Sequence, residues 1–213
     1  LVSVIMPCYK AGSFVGTALE SVGVQSYPHW ELLAVDDGGP LDGTREQVEA
    51  FARKAAGKRV EYSRQEENRG ASAARNTAIQ RARGKYLAFL DPDDWWLPQH
   101  LENAINELEA DGEAAICCCP CLIQHADPAV PSTVHFYEEW ELECFPYSLG
   151  LRNAFTTCGT VIRRSALDVV GLFDENRASN DDYDLWVRFA SLNQRFILLR
   201  EPTACYRKHP GGT

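Results

Sequence analysis

The feature that most constrains this chain is an alternation. Short apolar runs, each cut off by proline or by a cluster of Asp and Gly, are separated by stretches with helical periodicity. Residues 2–6 form a β-branched run that stops at Pro7. Leu32-Leu33-Ala34-Val35 stops at Asp36-Asp37-Gly38-Gly39-Pro40, and Val60-Glu61-Tyr62 is a weaker third run. Tyr86-Leu87-Ala88-Phe89-Leu90 stops at Asp91-Pro92-Asp93-Asp94, and Ala114-Ala115-Ile116-Cys117-Cys118 is a fifth. Nearly continuous apolar strands are what a sheet covered on both faces needs. Between them, Phe14, Ala18, Leu19 and Val22 recur at helical spacing on one face. A second helix is predicted from residue 47 to 55, begun near Asp42-Gly43-Thr44. A third is predicted from Ser72 as N-cap to Arg83, with Gly84 as its C′ residue. A fourth enters at Pro98, carries Leu101, Ile105 and Leu108, and ends at Gly112. Strand–helix alternation predicts an α/β fold: a mostly parallel sheet flanked by helices, with right-handed crossovers.

The pattern weakens after about residue 120. Residues 120–155 hold several prolines and aromatics and little periodicity. Residues 160–163 then read as a strand, 183–190 as a helix and 196–199 as a last strand. No repeat, low-complexity tract or linker separates the parts. All 213 residues are therefore read as one domain, 1–119 and 120–213 sharing one continuous sheet.

Composition narrows the class. An apolar share of 45% and a charged share of 24% fit a globular chain and exclude a disordered or fibrous one. No apolar run approaches the roughly 20 residues of a membrane span. The chain opens on an apolar run with no basic n-region, so no signal peptide is visible, and the missing initiator Met suggests a piece of a longer protein. The net charge of −9 argues against a broad basic surface and hence against a nucleic-acid partner. A negative chain that binds a negative ligand needs a metal ion, clustered Arg or helix N-termini. Four of the eight cysteines crowd into Cys117-Cys118-Cys119-Pro120-Cys121, without the paired C-x-x-C units of a tetrahedral metal site. Buried thiols on a core strand, in a reducing compartment, are the favoured reading.

In open α/β sheets the ligand sits beyond the carboxyl ends of the strands. Three runs end there on Pro7-Cys8-Tyr9, on Asp36-Asp37 and on Asp91-Pro92-Asp93-Asp94, which gathers five carboxylates around one cleft. Like charges so placed repel unless a cation or hydroxyl donors lie between them. A hard cation held by carboxylates, with diphosphate oxygens completing its shell, answers that need. Neither a G-x-G-x-x-G after the first strand nor a G-x-x-x-x-G-K-[ST] is present, which removes the dehydrogenase and P-loop readings.

Taken in order, Val2-Ser3-Val4-Ile5-Met6-Pro7-Cys8-Tyr9, Glu31-Leu32-Leu33-Ala34-Val35-Asp36-Asp37-Gly38, residues 68–76 (NRGASAARN) and Gly84-Lys85-Tyr86-Leu87-Ala88-Phe89-Leu90-Asp91-Pro92-Asp93-Asp94 resemble the family 2 inverting glycosyltransferases of GT-A fold. Residues 180–188 (NDDYDLWVR) resemble that family's acidic motif, and Tyr206-Arg207-Lys208-His209 its terminal Y-R-x-H. The resemblance implies a nucleotide-binding part over 1–119 and an acceptor and catalytic-base part over 120–213. It implies transfer from a nucleotide-diphospho-sugar, with uridine the expected nucleotide, to a saccharide or glycoconjugate acceptor in polysaccharide or cell-surface glycan synthesis. It also implies Mn²⁺ or Mg²⁺ as cofactor and a cytoplasmic site, with peripheral association at the inner face of the membrane. By matching position, Pro7 and Tyr9 pack on the base, Asp36 and Asp37 bond the base edge, and Arg75 lies beside the nucleotide. Asp91 serves ribose or metal, Asp93 and His209 the metal, and Asp182 is the catalytic base. Asp181 and Asp184 compete for the base role, and a neighbouring Asp181 carboxylate would raise the proton affinity of Asp182.

The chain departs from the family at Lys10, at Gly39-Pro40 and at Asp181, where Asn, a Ser-containing turn and Glu are usual. Arg69 reads equally as a phosphate contact or a solvated charge. Trp95 and Trp96 read as a sugar platform or as packing at a helix start. Phe136, Tyr137, Trp140, Phe145 and Tyr147 read as an acceptor groove or as subdomain core, and His100, His125 and His135 read as structural. Two rival functions remain: a sugar nucleotidyltransferase, and a non-catalytic module binding nucleotide sugars or glycans.

Overall fold

The computed structural model describes residues 1–125, 127, 129–135, 137–177 and 179–209. In chain order its elements are β1 (Val2–Cys8), α1 (Val15–Gly23), β2 (Trp30–Asp36), α2 (Thr44–Lys54), β3 (Val60–Arg64), α3 (Ala71–Arg81), β4 (Tyr86–Phe89), β5 (Trp95–Trp96), α4 (His100–Ala110) and β6 (Ala114–Cys118). They continue with β7 (Cys121–His125), β8 (Thr133–His135), α5 (Glu139–Glu143), β9 (Thr160–Arg163), α6 (Leu167–Val170), α7 (Asp181–Ser191), β10 (Arg195–Leu198) and β11 (Ala204–Lys208).

Seven strands form the main sheet in the order β10-β6-β9-β4-β1-β2-β3. The ladders are parallel except at β9, which runs antiparallel between β4 and β6. Every residue of β1, β2, β4 and β6 is buried, because helices cover both faces. Alternate residues feed two cores. Val4, Met6 and Leu32 pack with Leu19 of α1 and Leu101 of α4, whereas Ile5, Leu33 and Leu87 pack with Ile79 of α3 and Trp186 and Phe189 of α7. The cysteine cluster obeys the same alternation. Cys117 and Cys119 enter the first core and Cys118 the second, all free and buried.

The structure differs from the sequence expectations at several places. β1 does not stop at Pro7 but runs to Cys8. Its pairing with β4 ends at Ile5 while that with β2 continues, so the missing amide of Pro7 costs no ladder bond. Ser72 does not cap α3. Gly70 precedes the helix in a left-handed conformation, φ 90°, and the Asp37 carboxylate accepts the amides of Arg69 and Gly70, both at 2.8 Å. Gly84 is not a helix terminator either, for α3 ends at Arg81. A Cβ at Gly84 would lie 2.6 Å from the Ser3 nitrogen, so that glycine permits strand contact. Phe14 precedes α1 instead of joining its apolar face.

Nor is there one continuous sheet. β9 and β10 do join the main sheet, but β5, β11, β7 and β8 form a second one in that order. β5 is two residues long and β7 is only partly buried, so neither presents the continuous apolar run that marks a doubly covered strand. Among the described residues no helix is long and apolar enough to cross a membrane.

Candidate active site

The parallel strands β1, β2 and β4 end on one edge of the main sheet, and the second sheet closes over the loop that follows β4. Arg75, on α3, is the hub. Its guanidinium donates to Asp91 Oδ1 at 2.8 Å and to Asp181 Oδ2 at 2.7 Å, and lies over the Phe173 ring. Burial works against its charge, but Asp91 and Asp181 outweigh burial and hold the guanidinium above its ordinary pKa. Asp91 is pushed up by burial and by Asp93, against the pull of Arg75. Asp94 is buried, with its carboxylate accepting the Arg207 amide at 2.9 Å. Burial, then Asp91 and Asp93, raise it well above the usual carboxylate range.

β11 brings the chain's last described residues to this loop. Arg207 Nε donates to the Asp93 carbonyl at 2.9 Å, and its guanidinium stacks 4.8 Å from the Trp95 ring. His209 Nε2 lies 3.1 Å from Asp93 Oδ2, with its ring stacked on Phe14 at 4.7 Å. Phe14 is thus a site residue read as a core residue from its spacing. Only the aromatic just outside a helix start could have flagged it. Trp95 and Trp96 divide: Trp95 packs under Arg207, and Trp96 is buried, donating its indole N–H to the Cys158 carbonyl at 2.7 Å.

The first turn of α7 carries three acids. Asp181 accepts from Arg75 and from the Ser72 hydroxyl at 2.8 Å. Asp184 pairs with Arg188 at 2.9 Å and Arg177 at 3.0 Å. Asp182 accepts only neutral donors among the described contacts: the Thr157 hydroxyl at 2.9 Å and the Tyr183 amide at 2.6 Å. Of the three it alone makes no ion pair among the described residues.

The remaining predicted residues sit at the ends of β1 and β2. Pro7 pairs with Val35 inside the sheet, and Tyr9 is exposed, its ring lying against Gly39 and carrying the Lys10 ammonium 5.1 Å from its centroid. Asp36 accepts from the Tyr62 hydroxyl at 2.7 Å and the Gly39 amide at 3.2 Å. Asp37 is pushed up by burial despite the two amides at the start of α3. Both acids therefore brace loops in this structure. Arg69 pairs with exposed Glu175. His100 is structural as expected, bonded to Thr203 at 2.9 Å, with burial lowering its pKa to about 3. Of the predicted aromatics, Tyr137 and Phe145 pack on Phe155 in the core, Trp140 and Tyr147 are exposed, and Phe136 lies outside the described residues.

Among the described residues no group of three or more His, Cys, Asp or Glu side chains is arranged to hold a metal ion. The protein's own donor set is the two-member pair Asp93 and His209, with Asp91 held by Arg75. Such a partial set fits a hard or borderline divalent cation whose other ligands come from phosphate and water.

The model of the family described as Glycosyl transferase family 2 matches residues 3–171. One relative is the UDP-Glc:alpha-D-GlcNAc-diphosphoundecaprenol beta-1,3-glucosyltransferase WfgD of Escherichia coli. It is 42% identical over 106 residues, 50% of this chain and 40% of WfgD. The chain spans about half the length of the curated relatives it matches. Among solved structures, Staphylococcus aureus TarS 1-349 in complex with UDP-GlcNAc superposes with a TM-score of 0.79 at 22% identity, covering 99% of this chain and 59% of that one. The mannosyltransferase PcManGT of Pyrobaculum calidifontis, in complex with GDP-Man and Mn²⁺, superposes with a TM-score of 0.76 at 23% identity, covering 99% and 58%. At these identities the likeness establishes the fold, that of the GT-A glycosyltransferases.

Proposed function

This chain belongs to glycosyl transferase family 2, and on that premise we propose that it is an inverting glycosyltransferase that moves a sugar from a UDP-sugar to a saccharide or glycoconjugate acceptor in cell-surface polysaccharide synthesis. The observation that carries the proposal is the convergence, at one sheet edge, of the Asp91–Asp94 loop, the Arg207–His209 strand end and Asp182. The UDP-sugar relatives WfgD and TarS support the donor class, and WfgD's lipid-linked acceptor is consistent with work at the inner face of a membrane.

Transfer with inversion is an in-line displacement at the anomeric carbon. The acceptor hydroxyl oxygen forms the new bond as the bond to the nucleoside diphosphate breaks. Asp182 takes the hydroxyl proton, a role that suits the one first-turn acid that makes no ion pair among the described residues and is worth about 10²–10⁴-fold. Arg75 fixes Asp91 and the start of α7 relative to each other, and so sets where donor and base meet. Asp93 and His209, with Asp91, would hold Mn²⁺ or Mg²⁺. Bound there, the ion would offset negative charge on the leaving diphosphate as a Lewis acid. By family resemblance Pro7, Tyr9, Asp36 and Asp37 would border the nucleoside base, with the exposed Tyr9 ring, which carries the Lys10 ammonium 5.1 Å from its centroid, stacking on it.

The experiment is a calorimetric titration of the chain with UDP, with and without Mn²⁺. Expected is Mn²⁺-dependent binding, weakened about tenfold or more in Asp93→Ala. Equal binding without metal, or full binding by the variant, would remove Asp93 from the metal role. A GDP arm would test the uridine assignment, since PcManGT carries GDP-Man on the same fold.

A further inference from the structure

Thr157 lies in none of the motifs that resemble the family, yet it makes the most direct contact with Asp182 from outside α7. Its hydroxyl donates to Asp182 Oδ2 at 2.9 Å, while Asp182 Oδ1 takes the Tyr183 amide of its own helix. Thr157 is 7% exposed, so water competes poorly for that hydroxyl. The residue opens a short 3₁₀ turn (Thr157–Gly159) that is fixed independently of α7. The Gly159 carbonyl accepts the Cys119 amide at 2.9 Å, and the Cys158 carbonyl accepts the Trp96 indole at 2.7 Å. The Thr160 hydroxyl bonds the Thr156 carbonyl at 2.9 Å. A Cβ at Gly159 would lie 2.7 Å from the Cys119 carbonyl oxygen, so the turn sits hard against β6's continuation.

Four charged groups lie near Asp182 among the described residues: Asp181 and Asp184 on α7, Arg75 on α3 and Asp91 at the end of β4. Arg75 is shared between Asp91 and Asp181, and Asp184 between two other arginines. The orientation of Asp182 is thus left to neutral donors, of which Thr157 is, among the described residues, the one carried by another element.

We propose that Thr157 is a positioning residue: its hydroxyl, anchored on the turn that also supports Trp96 beside the Asp91–Asp94 loop, fixes the carboxylate of Asp182 for proton transfer. This rests on the reading of Asp182 as the base. A hydrogen bond donated to a carboxylate holds it in one orientation. One such bond to a charged group is worth roughly 10–100-fold.

The test follows UDP release from UDP-glucose and UDP-GlcNAc with Mn²⁺. Thr157→Val is expected to lower kcat about 10–100-fold, with KM for donor within twofold, whereas Thr157→Ser, which keeps the hydroxyl, stays within about threefold of the unsubstituted chain. An undiminished kcat in Thr157→Val overturns the proposal, as does an equal loss in Thr157→Ser. Thr157→Ala gives the same reading should the valine variant not fold. Added to Asp182→Asn, Thr157→Val is expected to cost nothing further, and a further loss of about tenfold would place its effect elsewhere. Undiminished release by Asp182→Asn alone sinks the base reading itself.

Discussion

Residues 1–119 and residues 120–209 bring functional groups to the same cleft in different ways. In the first half, Asp36, Asp37 and Asp91–Asp94 follow directly from buried parallel strands, so the ladder that fixes the strand also fixes the acid. In the second half the groups arrive on short pieces: a 3₁₀ turn, the first turn of α7 and the end of β11. Each is located by a contact made across the chain: Asp182 by Thr157, Asp181 by Arg75 and Ser72, and His209 by Asp93 and Phe14. A strand end is positioned by many weak, cooperative contacts and tolerates single losses. A turn positioned by one or two hydrogen bonds does not.

The comparison can be broken most sharply at Asp182. Asp182→Asn is expected to lower transfer about 10²–10⁴-fold while affinity for UDP, which on the proposed function does not involve Asp182, stays within twofold. Comparable loss of UDP binding would mean that the halves do not divide the work. Next comes the joint between them. Arg75→Met removes both ion pairs and leaves Asp91 and Asp181 without their buried partner, so unfolding by urea should show a loss of about 3–5 kcal/mol. A loss below about 1 kcal/mol would mean that the halves are held together elsewhere.

A smaller effect, of opposite sign, is expected at Asp94. Its carboxyl is raised above the ordinary value of about 3.9, so stability is lost as pH rises from that value through the folded-state value, above which the loss is constant. The penalty is absent below about pH 4, where both states are protonated, and grows as pH rises. Asp94→Asn should therefore stabilise at pH 7, with the gain fading toward pH 4, in thermal melts across that range. A constant difference would point to a cause other than ionisation. The smallest effect belongs to the exposed Arg69–Glu175 pair, which bridges the halves at the surface. Arg69→Ala should change stability by at most about 1 kcal/mol, and less in high salt. A larger loss would make the surface, not Arg75, the joint.

The legibility of the two halves follows the same line. The sheet core could be read because burial on both faces demands continuous apolar runs, and all five first-half runs became strands. The second sheet could not, because β5, β7, β8 and β11 are short or half exposed and leave no such run. Local cap rules failed at Ser72 for a related reason. The segment leading into α3 is held by Asp37, which accepts the amides of Arg69 and Gly70 from more than 30 residues earlier in the chain, and Ser72 turns instead to Asp181. Thr157 and Phe14 carry no local signal, since a threonine near a strand and an aromatic before a helix are common in any core.

By itself, then, the sequence determined an α/β fold, the strand ends on which acids cluster, and the ordered segments that mark the family. Those are consequences of periodicity and of residue types at fixed spacing. Only the tertiary structure decided which acid of Asp181, Asp182 and Asp184 makes no ion pair among the described residues, that Arg75 joins the two halves, and that Asp36 and Asp37 brace loops. Asp184 meets Arg188 one helical turn away, but the partners of Asp181 and Asp182 come from 25 to more than 100 residues off, and no local pattern records which donors reach those carboxylates.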